Sequence, residues 1–509
     1  MERYDQEVFM ADYNAIVIGA GCGGMSVVAQ LAKQGRKTLV IEQSDLVGGC
    51  CSTFEQDGYK FDLGASLIED PEVINWCFER LGTTLEKEVD LVACDPVYDV
   101  ILKDGTKLRY PISSDESARN IGEVSPGDVK GWHEYAEYMQ GFLDAALGGF
   151  FTAPANTTAD LIRLFLKTPQ LLKFGPMFLS SYQDVIEKFF KDPRIRESIA
   201  FQSFYGGLPP DTCPGYIAMV PWSEHAGIFY SKGGMIGIPN ALKRLGEKFG
   251  MEMRMNTRVK RVIVRNRRAM GVVLDDGTEI TSDLVVSDIN SKLLYLEMIG
   301  EEHLPWLNRV GIKSYEYSMA TPMMYLGVDY EPPLDGHHTL ITLPVEDLND
   351  YWWNIYKQDR YAKDHFGIIS WTSHSDPKLA KKKGHHVIVL TLEPAPYRLK
   401  DTTWDEYKPA LTQQVIEYMS QRFIPGLADH VQVAELSTPL DFERRLLSPE
   451  GAIYALRQDL TCGVTFRPAA KSKSIKGLYL AGASTHPGGG VPTTIASGMI
   501  AADLIQKFE

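Results

Sequence analysis

Four consecutive apolar residues, Ala15-Ile16-Val17-Ile18, run straight into Gly19-Ala20-Gly21-Cys22-Gly23-Gly24, and no other stretch limits the fold as much. An apolar run of this length, closed by glycine, reads as a strand buried on both faces. Met25 to Gln34 follows with helical character and stops at Gly35, and Thr38-Leu39-Val40-Ile41 is a second buried strand ending in Glu42. Strand, helix and strand within about thirty residues form a βαβ unit, the context in which a glycine pattern binds a dinucleotide. Gly19 allows the tight turn, Gly21 lets backbone approach a diphosphate, and Gly24 lets helix pack on strand, with Cys22 and Gly23 between them at the helix start. The helix directs its positive end at the phosphates. Glu42 lies 18 residues beyond Gly24 and, with Gln43, is placed to meet a ribose. An acid there disfavours a 2′-phosphate, leaving FAD or NAD ahead of NADP.

Later segments read as partners of this unit. Thr257 to Val264 alternates at strand period, with Val259 counted among the cofactor contacts, and Met270 to Leu274 and Thr278 to Ile280 flank the turn Asp275-Asp276-Gly277. Asp283 to Ser287 and Gly477 to Gly482 read as further buried strands, and a helix spans about Thr493 to Lys507. The expected fold is α/β: a discontinuous Rossmann-type FAD-binding domain over 12–70, 231–300 and 455–509, with an inserted mixed α+β substrate domain over 71–230 and 301–454. The first inserted block carries helical stretches at Trp132 to Leu147, Ala159 to Leu166 and Gln183 to Phe190, a helical cap. The second mixes the strand runs Ser318 to Val328 and His386 to Leu392 with a helix from Asp405 to Phe423, so an antiparallel sheet is expected.

FAD is favoured over NAD by the residues beyond Glu42. Gly48-Gly49-Cys50-Cys51-Ser52 are small residues that let backbone lie along a ribityl and diphosphate chain. The adjacent cysteines read as small buried residues beside a cofactor rather than as a redox pair. Near the C-terminus, Gly482-Ala483-Ser484-Thr485-His486-Pro487-Gly488-Gly489-Gly490-Val491-Pro492-Thr493 is a glycine-rich turn entering a helix. Its unpaired N–H groups suit the pyrimidine end of a flavin, which carries negative charge when reduced. Gly482, Ala483, Gly490, Val491, Pro492 and Thr493 are the expected contacts. His486 is the nearest acid–base candidate, and the alternative is a histidine that only orders the turn. The adjacent pairs His337-His338 and His385-His386 would point to opposite faces of a strand and are expected at the surface, and no metal site is expected. Asp376 and Asp441 read as structural.

The charge balance, 52 basic against 66 acidic residues, makes a poor nucleic-acid binder. Seven cysteines, Cys50 and Cys51 adjacent and the other five scattered, form no disulfide framework, the polar start MERYDQEVFMADYN is no secretory signal, and no apolar run reaches membrane-spanning length. A cytoplasmic location is expected. Residues 160–190, with Leu161-Ile162-Arg163-Leu164-Phe165-Leu166-Lys167 and Leu171 to Leu179, combine apolar side chains with cations and could lie on the inner face of the cell membrane; the alternative is a pair of core helices.

Taken together, these motifs resemble the FAD-dependent phytoene desaturases of bacterial type, with the related carotenoid isomerases and retinol saturases, over essentially the full length. The turn Thr485 to Pro492, the segment Tyr230-Ser231-Lys232-Gly233-Gly234-Met235, and the landmarks Ser373 to Pro377 and Thr438 to Phe442 carry the resemblance. The Gly48 to Phe54 stretch is more similar to the saturase and isomerase branches. The resemblance implies a flavin exchanging hydride with an alkene or alkane of a polyene or isoprenoid lipid, and a quinone or oxygen as electron acceptor. Desaturation leads. A saturase or isomerase, an amine-oxidase-like enzyme, and a flavin or lipid carrier without turnover are the alternatives.

Overall fold

The computed structural model describes residues 11–147, 149–155, 157–225, 227–459, 462–463 and 466–509. Tyr13–Ile18 sits within a seven-stranded sheet, with Thr38–Ile41 and then Glu252–Arg254 parallel on one side and Glu279–Ser287 parallel on the other. Leu478–Leu480 pairs in parallel with the end of Glu279–Ser287. The register is in step: Ile16 lies opposite both Leu39 and Val285, and Val285 opposite Leu478. A hairpin of Val259–Arg265 and Arg268–Leu274 continues antiparallel from the first half of Glu279–Ser287. Strands from three separate stretches of chain thus share one sheet, and the parallel ones all end at the same edge.

Glu279–Ser287 is one nine-residue strand, whereas the sequence pattern divides it at Thr281-Ser282. These polar residues do not interrupt it because their hydroxyls are satisfied in place. Thr281 donates to Asp12 from both its N–H and its hydroxyl, and Ser282 donates to the Leu284 carbonyl. The expected strand from Ser318 begins only at Met323, directly after Pro322, which has no N–H to give to a ladder.

Helix Cys22–Lys33 is buried along nearly its whole length, held between Val491–Phe508 and Gly237–Lys248. The approach is close enough to require glycine on both sides. A Cβ on Gly498 would stand 2.3 Å from the Gly23 carbonyl oxygen, and one on Gly24 would stand 2.2 Å from that of Gly19. Ser26 Oγ completes the contact by donating to the Ile495 and Gly23 carbonyls.

A second seven-stranded sheet runs Val431–Ser437, Met323–Val328, His386–Thr391, Gly367–Ser370, His338–Ile341, Tyr98–Ile101, Lys107–Tyr110. All neighbours are antiparallel except His338–Ile341 with Tyr98–Ile101. Helices cover it, among them Val129–Leu147, which buries Trp132, Tyr135, Met139, Phe142 and Ala146 along one stripe at helical spacing. The expected helices are found at Thr158–Lys167, Tyr182–Phe189 and Trp404–Arg422, each within one or two residues of the pattern.

The histidine pairs depart from expectation. His337 and His338 are buried, not exposed, and their rings lie 4.3 Å apart instead of on opposite faces, because His337 precedes the strand that starts at His338. His337 bonds Ser375 Oγ and packs on Tyr230. Burial holds both imidazoles neutral, lowering His338 to about 4 and His337 further. His385 and His386 are half-buried.

Candidate functional site

The turns after the parallel strands open into a single cavity of about 490 Å³. Its first wall is the glycine loop: Gly19, Gly21, Cys22 and Gly23 line it, while Gly24 is withdrawn into the helix–strand contact. Gly19 has φ +92°, a conformation that residues with a Cβ rarely adopt. Gly48, Gly49, Cys50 and Cys51 form the neighbouring wall and Ser52 does not reach it. The two loops are tied together where the Gly48 N–H donates to the Ala20 carbonyl. At the far end Glu42 and Gln43 line the cavity with Val259. Glu42 is held by the N–H groups of Ala20 and Ser44, at 2.7 and 2.8 Å, which leaves each carboxylate oxygen a second lone pair for a ribose. Burial raises its pKa, against the pull of those N–H groups.

Asp288 is the residue here that motif reading missed. It follows the strand Glu279–Ser287, and its carboxyl fills the space beneath three glycines: added Cβ atoms on Gly21, Gly23 and Gly482 would meet it at 2.5, 2.7 and 2.0 Å. Burial lifts its pKa to about 7, helped by the charge of Glu42 and opposed by the N–H groups of Gly24 and Gly21. Its signal in the sequence was positional only, an acid at the carboxyl end of a parallel strand, where ligands bind in open α/β sheets.

The C-terminal turn supplies the middle of the cavity. Gly482, Ala483, Gly490, Val491 and Thr493 line it; Pro492 does not. The turn is fixed by internal bonds: the Gly482 N–H donates to Ser497 Oγ at 2.7 Å, the Ser291 N–H donates to Ser484 Oγ at 2.9 Å, and Thr493 Oγ1 donates to the Gly489 carbonyl at 2.8 Å. Buried Arg467 lines the cavity beside it and donates to the Ala483 carbonyl. Gly490, at φ +120°, precedes the eighteen-residue helix Val491–Phe508. That helix start combines N–H groups with the positive end of the dipole.

His486 is 1 % exposed and is not among the residues that line the cavity. Its Nε2–H donates to the Phe150 carbonyl at 2.7 Å and its ring stands edge-on to Phe150. Burial lowers its pKa to about 4, so it is neutral near pH 7. This geometry matches the turn-ordering alternative rather than acid–base work. The thiols are equally quiet: all seven cysteines are free, burial pushes Cys50 up to about 11, and the hydrogen bond with Cys22 together with burial pushes Cys51 well up.

Beyond the turn the lining becomes apolar and aromatic, with Phe142, Phe150, Tyr205, Met323, Ile368 and Tyr454. Two carboxyls, Glu69 and Asp70, stand in this wall. Burial lifts Glu69 to about 8, with a contribution from Asp70, and lifts Asp70 to about 6, with a contribution from Glu72. In sequence they read as the ordinary acidic start of helix Pro71–Leu81, and nothing marked them as cavity residues.

A dinucleotide fits this arrangement on structural grounds. The glycine positions cluster where side chains would fill the cradle, and an acid stands at one end with a helix start at the other. Comparison with known proteins agrees. The family described as flavin containing amine oxidoreductase matches residues 22–506. The chain is 28% identical to a lycopene-forming phytoene desaturase of Paracoccus sp. strain N81106, over 96% of this chain and 97% of that one. It is 30% identical to a neurosporene-forming phytoene desaturase of Rhodobacter capsulatus, over 96% and 93% respectively. Among solved structures, an oxidoreductase from Methanosarcina mazei superposes with a TM-score of 0.62 at 16% identity, covering 97% of this chain and 99% of that one; this similarity speaks to the fold.

Proposed function

This chain belongs to the flavin-containing amine oxidoreductases, within the phytoene desaturase family, and from that premise we propose that it desaturates a carotenoid-like polyene or isoprenoid drawn from a membrane. It is an FAD-dependent oxidoreductase acting on CH–CH groups, with an α/β flavoprotein fold. The observation that carries the reading is the continuity of one cavity from the glycine loops to an aromatic hydrocarbon wall.

In this reading 12–70, 231–300 and 455–509 hold FAD and the remainder holds substrate. Gly19 to Gly23 and Gly48 to Cys51 cradle the diphosphate and ribityl chain. Glu42 and Gln43 would take the ribose, with Val259 beside them, and Gly482, Ala483, Gly490, Val491 and Thr493 would hold the isoalloxazine. FAD supplies a two-electron acceptor for hydride. The chain's own work is to bind, orient and exclude water. Phe142, Phe150, Ile368 and Tyr454 hold an extended hydrocarbon against the turn by dispersion and desolvation. The N–H groups at the start of Val491–Phe508 would favour negative charge on a flavin held at this end of the cavity.

Substrate entry is assigned to residues 158–179. Here Leu164, Leu171, Phe174 and Met177 face inward, while Leu166, Leu172 and Leu179 are 78%, 66% and 87% exposed, joined by Ile162 and Phe165. Arg163, Lys167 and Lys173 are exposed among them. Burying a large apolar side chain is worth about 1.5–3 kcal/mol, so five of them suffice to seat this face in lipid, with the cations toward anionic headgroups. Phe174 and Phe178, on the inner side, touch Phe142, and Phe178 touches Tyr216, both cavity residues. Hydrocarbon can pass from lipid to cavity along aromatic rings. Among the described residues no helix is long and apolar enough to cross a membrane. A quinone in the same membrane, or oxygen, is the proposed electron acceptor.

The test is product mass. FAD-loaded enzyme with phytoene in vesicles and a quinone should yield products lighter by pairs of hydrogens. Conversion only after dithionite reduction, with mass gained or unchanged, would transfer the assignment to a saturase or isomerase.

A further inference from the structure

The side chains of Glu69 and Asp70 make no hydrogen bond or ion pair with any described residue, although they stand in the wall of a hydrocarbon cavity. Asp70 occupies the position before helix Pro71–Leu81, yet it makes no side-chain capping bond and has φ +46°, a left-handed conformation unusual for a residue with a Cβ. Unpaired carboxyls in apolar surroundings cost stability and serve no packing purpose. A third acid stands close by. Glu224 is 1 % exposed, lies beside Gln202 and Tyr205, and its Oε2 has no hydrogen-bond partner among the described residues.

The position of Glu69 gives the group a task. Its Oε1 lies 3.9 Å from where a Cβ on Gly490 would stand, so the carboxyl sits between the hydrocarbon wall and the turn that begins the last helix. Resting on the desaturase reading above, we propose that Glu69 is the proton acceptor that completes the desaturation, with Asp70 and Glu224 governing its charge. Converting CH₂–CH₂ to CH=CH breaks two C–H bonds. The first hydrogen leaves with its electron pair to oxidised flavin, which is reduced, as the family's activity provides. The adjacent C–H bond then breaks, its electron pair becomes the π bond, and its proton passes to a Glu69 oxygen, which later releases it to water. The neutralised cation and the protonated carboxylate balance.

The titratable groups that act on Glu69 are Asp70 beside it in the chain, itself raised by the exposed Glu72, and Glu224, Tyr205 and Tyr454 from other segments. Among the described residues, no cation is found acting on it. An acceptor must be ionised, so turnover should climb with pH and level off above about 8.

The experiment uses FAD-loaded enzyme and two readouts. Product formation from phytoene vesicles is followed from pH 6 to 9.5. Binding of a long-chain tertiary ammonium, a mimic of the cation, is followed through the flavin absorbance. Glu69→Gln should lower the plateau rate by about 100-fold, in the range for loss of a general base, and flatten the profile. It should weaken the ammonium about tenfold while leaving affinity for the uncharged hydrocarbon unchanged. Glu69→Asp should recover part of the rate. Wild-type rate, profile and ammonium affinity in Glu69→Gln would overturn the proposal, as would a pH profile that survives in Glu69→Gln and vanishes in Asp70→Asn. If wild-type enzyme leaves phytoene untouched, the desaturase reading fails separately, and the ammonium affinity still decides whether Glu69 meets a cation in the cavity.

Discussion

The two ends of the cavity are built on opposite principles. At the nucleotide end nearly every polar atom is spoken for: Glu42 by two N–H groups, Asp288 by the glycine loop, and Gly482 by Ser497. At the hydrocarbon end the wall is mostly apolar and aromatic, and the side chains of Glu69 and Asp70 make no hydrogen bond or ion pair with any described residue. The first end is a rigid cradle whose specificity is steric, written in missing Cβ atoms. The second is a greasy chamber in which a few unsatisfied acids carry any chemistry the protein itself performs. A flavoenzyme on unactivated C–C bonds needs that division, since orientation of the cofactor demands precision and the hydrocarbon offers nothing to hydrogen-bond.

The contrast can be broken from the cradle side first. Gly24→Val should abolish FAD retention, by about 100-fold or more, because its Cβ would enter the Gly19 carbonyl and overpacking a filled contact costs about 1–3 kcal/mol or more before any cofactor binds. Flavin content per purified protein reads this. Equal loss of a cavity-wall variant such as Ile368→Ala would erase the distinction between the two ends.

The entry face comes next. Replacing Leu166, Leu172 and Leu179 together by Glu should reduce vesicle flotation by about tenfold or more, while turnover of detergent-dispersed phytoene stays near wild type. Unchanged flotation would return these residues to ordinary surface.

A pH experiment sharpens the cradle further. Asp288 is raised to about 7, so its proton is bound more tightly in the fold than in the unfolded chain. A nearby diphosphate would raise it again. FAD affinity should therefore be greatest below about pH 7 and fall by up to about tenfold per unit above it, by proton linkage. Fluorescence titration of FAD measures this, and Asp288→Asn should flatten the curve. Smallest of all, His486→Asn, which keeps a donor for the Phe150 carbonyl, should change kcat by less than about threefold while lowering Tm. A collapse of kcat with unaltered Tm would restore His486 as an acid–base residue.

The same division governs how much the sequence discloses. Gly19, Gly21, Gly24 and Glu42 were readable because the cradle is local: a strand, a turn and a helix set their spacing. Gly48 to Cys51 and Gly482 to Thr493 were readable as glycine-rich entries to structure. Asp288 was not, since its role arises from three glycines brought over it by the sheet. Glu69 and Asp70 resemble any acidic helix start until the fold closes an aromatic wall around them. His337 and His338 were misplaced for the same reason, because burial of a polar pair depends on Ser375 and Tyr230 from distant parts of the chain and leaves no local periodicity. The amphipathic run at 158–179 was visible, but only the structure separates its inward Leu164, Leu171 and Phe174 from its outward leucines.

The measurement closest to the central claim, that flavin and polyene meet in one cavity, is an anaerobic absorbance spectrum of FAD-loaded enzyme before and after addition of phytoene-bearing vesicles. The account predicts bleaching of the oxidised flavin band with stoichiometric loss of two hydrogens from the lipid. An unchanged spectrum with phytoene, alongside bleaching by a simple amine, would contradict it.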